Sequence, residues 1–114
     1  MQEQRESPRK VLRTRVGLAI DGREPVFGKT VDVSVTGCCV CVADPVAVAQ
    51  SGQVAFDLMV EGHFSHINTR VKAMYCIFGG GDYKIGLKFV ELDMPTAAAL
   101  ARYMKSGSGA IAAA

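Results

Sequence analysis

The sequence predicts an all-β fold capped by one helix: a six-stranded antiparallel β-barrel with a C-terminal α-helix. Three observations carry that prediction. Apolar residues recur at every second position in most segments between Thr14 and Phe89, the period of a strand with one buried face. Turn signals separate those segments at Asp21-Gly22, Asp44-Pro45, Glu61-Gly62 and Gly79 to Asp82. After Asp93 the chain changes to Ala, Leu, Arg and Met behind Pro95, which is helix chemistry. Six strands with short connections favour a barrel, because closure removes exposed sheet edges.

In chain order, residues 1–13 form a basic arm with Pro8 and no apolar period, expected to be flexible. The first strand runs from Arg13, with Thr14, Val16, Leu18 and Ile20 on one face and Arg15, Gly17 and Ala19 on the other. Pro25 stops that strand from continuing inside a sheet. The second strand spans Val26 to Val33 and the third Cys38 to Val42. Between them lies Asp32-Val33-Ser34-Val35-Thr36-Gly37, where polar and small residues replace bulky apolar ones. Asp32 and Ser34, two apart on a strand end, are expected on one face. Gly37 permits a positive φ or a close backbone approach to a ligand. The stretch reads equally as turn chemistry or as a binding ledge.

Val46 to Gln50 is too short and too β-branched for a helix, and reads as a loop or a single turn. Gln53 to Val60 alternates cleanly, with Val54, Phe56, Leu58 and Val60 facing inward. A long strand from Phe64 to Phe78 is expected to bend near Asn68. Tyr83, Ile85, Leu87 and Phe89 form the inner face of the last strand. The helix covers Thr96 to Lys105, with Leu100 and Met104 on one face, and ends at Gly107. Residues 106–114 are a small-residue tail, expected to be mobile. The organisation is therefore an arm (1–13), a barrel with its helix (14–105) and a tail, without internal repeats.

At 114 residues the chain can bury a real core, and 49% hydrophobic against 21% charged residues excludes global disorder. The net charge of +2 is unevenly spread. Residues 1–15 hold five basic and two acidic side chains, a balance of +3, while the remainder is at −1. This favours a local anionic partner over a long nucleic-acid-coating face, so DNA is not an expected partner. Aromatic residues make up only 7% and Trp is absent, which also leaves few base-stacking platforms for a nucleic-acid-binding barrel. The polar N-terminus has no apolar leader, and no run reaches the ~18 apolar residues of a membrane span. Cys38, Cys39, Cys41 and Cys76 fit reduced cysteines of a cytoplasmic protein.

The candidate chemistry is concentrated early in the chain. Arg5, Arg9 and Arg13 are spaced by four, giving two overlapping RxxxR patterns, and guanidinium forks suit phosphate oxygens or the O6/N7 edge of guanine. The alternative is a solvated basic N-terminus. Cys38-Cys39-x-Cys41 lacks zinc-ligand spacing, and alternation splits Cys38 from Cys39 across the sheet, so no metal site is expected. His63 and His66, three apart on a strand, face opposite sides. Gly79 to Asp82 lacks the Lys-Ser/Thr and helix of a phosphate loop. No nucleophile elbow or paired carboxylates point to an enzyme, and no cofactor is expected.

Arg5-Glu6-Ser7-Pro8-Arg9 followed by Asp32-Val33-Ser34-Val35-Thr36-Gly37 resembles the paired RxxxR and [D/N]xSxxG motifs of PilZ domains. Gly86-Leu87-Lys88-Phe89 is similar to the Gly-x-x-Phe of that family's last strand. The resemblance covers nearly the whole chain, from Arg5 to Lys105. It implies a six-stranded barrel that serves as a bacterial receptor for cyclic di-GMP, with Arg5, Arg9, Asp32, Ser34 and Gly37 on the ligand and Arg13, Cys38 and Gly86 as secondary candidates. Gln4 and Cys38 depart from the family pattern, which often has arginine and glycine there, and the ligand count stays open between one and two. The arginine register also stays open, Arg5/Arg9 or Arg9/Arg13. The resemblance further implies that the arm reorganises on binding and signals to a downstream protein partner, with the domain a monomer or weak dimer. Degenerate family members that bind only protein supply the alternative of an adaptor.

Overall fold

The computed structural model describes residues 7–106, and the helix reaches the end of that range. Seven strands and one helix follow one another: β1 (Lys10–Val11), β2 (Arg15–Ile20), β3 (Val26–Val33), β4 (Gly37–Val42), β5 (Ser51–Val60), β6 (His63–Gly79), β7 (Asp82–Val90) and α1 (Met94–Ser106). All pairings are antiparallel, in the order β3-β2-β5-β6-β7-β4, and β4 returns to β3 to close a six-stranded barrel. The sequence expectation of barrel plus helix holds.

Alternation places the core. Val54, Phe56, Leu58 and Val60 of β5 are buried inside, with Val16, Leu18 and Ile20 beside them on β2. The hairpin turns follow from backbone sign. Glu61 and Gly62 both have positive φ (51° and 82°) between the paired Val60 and His63. Gly80 and Gly81 (65° and 89°) do the same between Gly79 and Asp82, the turn geometry that matches strand twist. Val46, in the loop read as irregular, reaches back into the core.

The helix begins where Asp93 caps it. Asp93 Oδ1 accepts the Thr96 amide at 2.8 Å, and the Asp93 carbonyl accepts the Ala97 amide at 2.9 Å. Ala99 and Leu100 are buried in the same hydrophobic cluster as the strands, with Met104 packed at its edge. The helix therefore flanks β5 and β6.

The expected bend near Asn68 lies elsewhere. Asn68 pairs regularly with Ala55, and the irregularity of β6 is a bulge at Met74. A second bulge sits at Val31 on β3.

Candidate functional site

The two bulges decide which side chains leave the core. Thr30 on β3 pairs with core residue Val40 and is buried. Strict alternation would send Asp32 inward as well. The extra residue at Val31 shifts the parity, so Asp32 pairs with Cys39, which is buried but lies outside the core cluster, while Val33 turns fully inward opposite Cys38. On β6, Val71 and Ala73 face inward, and the extra residue at Met74 sends Tyr75 outward opposite Gly86. Gly86 in turn pairs with Cys39. Asp32, Cys39, Gly86 and Tyr75 therefore form one row across β3, β4, β7 and β6 on the outer face.

Gly86 has a packing reason to lack a side chain, since a Cβ there would overlap the Tyr75 ring. The ring lies down over the glycine. Burial, and then the neighbouring Cys39 thiol, push the Tyr75 phenol up to about 12. Burial likewise raises Cys39. Both groups are neutral at physiological pH, so the row's fixed charge is Asp32.

The arm is laid across this row. Lys10 and Val11 pair with Val33 and Asp32, on the stretch of β3 that β2 leaves free. Buried Thr30 stitches the gap between β1 and β2: its Oγ1 accepts the Thr14 amide at 2.9 Å and donates to the Leu12 carbonyl at 2.6 Å. Arg9 Nη1 donates to Asp32 Oδ1 at 2.8 Å, with about half of the arginine side chain exposed. Lys10 Nζ donates to the Tyr103 carbonyl at 2.8 Å and lies 4.3 Å from that ring's centre. Thr36 Oγ1 donates to Ser7 Oγ at 3.3 Å.

Ser34 and Gly37 occupy a tight turn. Ser34 is 3% exposed, and its Oγ accepts the amides of Thr36 (3.1 Å) and Gly37 (3.2 Å). The Ser34 amide donates to the Gly37 carbonyl at 2.8 Å. Ser34 thus does the work of an ST-turn and does not share the open face of Asp32. Gly37 has no positive φ; a Cβ there would collide with the Leu87 carbonyl, so the close approach is to strand β7.

Beside the row lies a groove of about 370 Å³, whose lining includes Arg9, Thr36, Met74, Tyr75, Gly86 and Lys88. Two cations and one carboxylate near an aromatic face suit a compact anion that carries planar rings and hydrogen-bond donors. Of the candidates read from sequence, Arg9, Gly37 and Gly86 line this groove and Asp32 stands beside it, paired with Arg9, with Ser34 holding the turn. Arg13 lines a separate cleft with Lys29 and Lys84. Cys38 points into the core, where burial pushes its thiol to about 12. Arg5 lies outside the described residues.

Tyr75, Lys88 and Cys39 were not among the sequence candidates. Tyr75 had one signal: two residues after Ala73 on a strand that buries its odd positions, it places a phenol where continuing alternation would bury it. Among the described residues, no group of three or more His, Cys, Asp and Glu side chains could hold a metal ion.

A sequence model of the family described as "PilZ domain" matches residues 3–106. No curated protein matches the chain. Among solved structures, the chain is similar to the Bacillus subtilis inhibitor of motility MotI/DgrA, at 18% identity and TM-score 0.76, covering 94% of this chain and 55% of that one. The chain thus spans about half the length of that protein. It is also similar to the PilZ domain of YcgR from Escherichia coli, solved with c-di-GMP, at 11% identity and TM-score 0.71, covering 91% of both chains. A third likeness is the PilZ domain of CeSA from a cellulose-synthesizing bacterium, at 21% identity and TM-score 0.56, covering 84% of this chain and 93% of that one. At these identities the likeness is one of fold.

Proposed function

The chain belongs to the PilZ domain family, and on that premise we propose that it is a receptor domain for cyclic di-GMP. The observation that carries the proposal is the Arg9–Asp32 contact at 2.8 Å, which joins the two separated motifs beside an open groove. Cyclic di-GMP offers two phosphates, guanine acceptor edges and guanine N–H donors. Arg9 and Arg5 are assigned to the phosphates and the O6/N7 edges, and Asp32 to the N1–H and N2–H donors. Tyr75 offers a flat apolar face for a base, and Lys88 a further cation. Ser34 and Gly37 act by fixing the ledge.

Binding exchanges the Arg9–Asp32 pair for ligand contacts, and the arm then presents a changed surface to a downstream protein. In this role the domain is a bacterial cytoplasmic receptor and not an enzyme. Among the described residues, no helix is long and apolar enough to cross a membrane.

Isothermal titration with cyclic di-GMP, with GTP as control, tests the reading and gives the ligand count. Arg9→Ala and Asp32→Ala are each expected to abolish the heat while leaving the far-UV spectrum unchanged. Absence of heat and of any thermal shift in the parent protein would overturn the receptor reading. The adaptor reading would then stand, and one observation favours it: in this state the Ser34 hydroxyl and the Asp32 carboxylate both already have partners.

A further inference from the structure

On the outer faces of β3, β2, β5 and β6 lies a further concavity of about 650 Å³. Its floor is Gly17 and Ala55, which pair directly. Its walls include Phe27 and Phe64, 70% and 68% exposed. The Phe27 ring leans over Gly17, where a Cβ would stand 3.3 Å from Cε1. Two large aromatic rings held in water beside a floor of small residues are unusual on an isolated barrel.

The rim carries both signs of charge. Arg15 lies on β2 and Asp57 on β5, one register step beyond the Val16↔Phe56 pair. Arg15 makes no ion pair among the described residues, whereas Asp57 contacts His66.

We propose that this face is an isologous interface between two copies of the chain. The argument is self-complementarity. A two-fold axis running along the strands between β2 and β5 would set β2 of one copy over β5 of the other. Arg15 of each copy then faces Asp57 of its partner, and Gly17 faces Ala55, twice over. The small residues let the two sheets approach closely at the centre, and Phe27 of each copy fills the space over Asn68 of the other. A foreign partner would need to supply knob, hole and both charges; this surface already holds all four. A patch of this kind, of a few hundred Å² per copy, fits a weak dimer. The face shares no lining residue with the groove at Arg9, which is built from the arm, the β3–β4 turn, β4, β6 and β7.

Sedimentation equilibrium of the 114-residue protein without nucleotide, from micromolar to millimolar, tests the proposal. A concentration-dependent dimer is expected. Arg15→Asp and Asp57→Arg should each weaken it at least tenfold, and the double reversal should restore it to within about threefold. Phe27→Ser should weaken it as well. Cooperative thermal unfolding of each variant checks the fold; should Asp57→Arg fail to fold, Arg15→Asp and Phe27→Ser carry the test. A monomer throughout the range overturns the proposal, as does a dimer indifferent to these substitutions. A double reversal no better than either single does the same. A monomer that loses a different protein partner through Phe27→Ser also counts against it.

Discussion

Ser34 separates the turn from the ledge at the level of single atoms. Its hydroxyl accepts the part-buried Thr36 amide and the buried Gly37 amide, so Ser34→Ala leaves both without that acceptor. A loss of about 1–3 kcal/mol is expected, read as a lower midpoint in urea, with nucleotide affinity falling less than for Asp32→Ala. An unchanged midpoint with lost affinity would return Ser34 to the ligand. Gly86 gives the opposite pattern. Gly86→Ala drives a methyl into the Tyr75 ring, which is partly exposed and able to swing away. Affinity for cyclic di-GMP should fall several-fold with little change in the midpoint; if Tyr75→Ala leaves affinity unchanged, the ring is no platform.

At the scale of elements, the strands report their own period, but a bulge is silent in sequence. Inserting Val31 or Met74 leaves a run that still reads as a strand, because both residues are apolar and tolerated on either face. Alternation therefore located β3 and β6 but placed Asp32 and Tyr75 inward, and only their polar groups at positions it would bury hinted at the shift. The helix was more legible, since Asp93 and Pro95 are local start signals. Asp93 also makes a pH prediction. Its hydrogen bonds with Thr96 hold the carboxyl below its ordinary range. The stabilising contribution is present above the unfolded carboxyl pKa and is lost as pH falls through the lowered folded value. Circular dichroism of Asp93→Asn and Asp93→Ala against the parent, from pH 6 to pH 2, should show the parent approaching Asp93→Ala only at the acid end.

For the molecule as a whole, the arm is the part to watch. It is tied to the barrel at Ser7, Arg9, Lys10 and Val11, and Lys10 links it to Tyr103 near the end of α1. A ligand that binds only the folded state stabilises it by about 2.7 kcal/mol at a hundredfold excess over Kd. For a domain of this size, that corresponds to a rise in melting temperature on the order of 10 °C. Differential scanning fluorimetry with cyclic di-GMP should show the rise, and Arg9→Ala should remove it.

The sequence by itself determined the barrel, its six long strands, both hairpin turns and the terminal helix, because each depends on local period, turn chemistry or capping. It also singled out Arg9 and Asp32 through their spacing within two short motifs. Only the tertiary structure decided that Asp32, Cys39, Gly86 and Tyr75 stand in one row, that Ser34 is spent within its turn, and that Cys38 belongs to the core. The physical reason is that a row across four strands is a matter of register and bulges, set by pairings between residues as far apart as Cys39 and Gly86. No window along the chain contains that information.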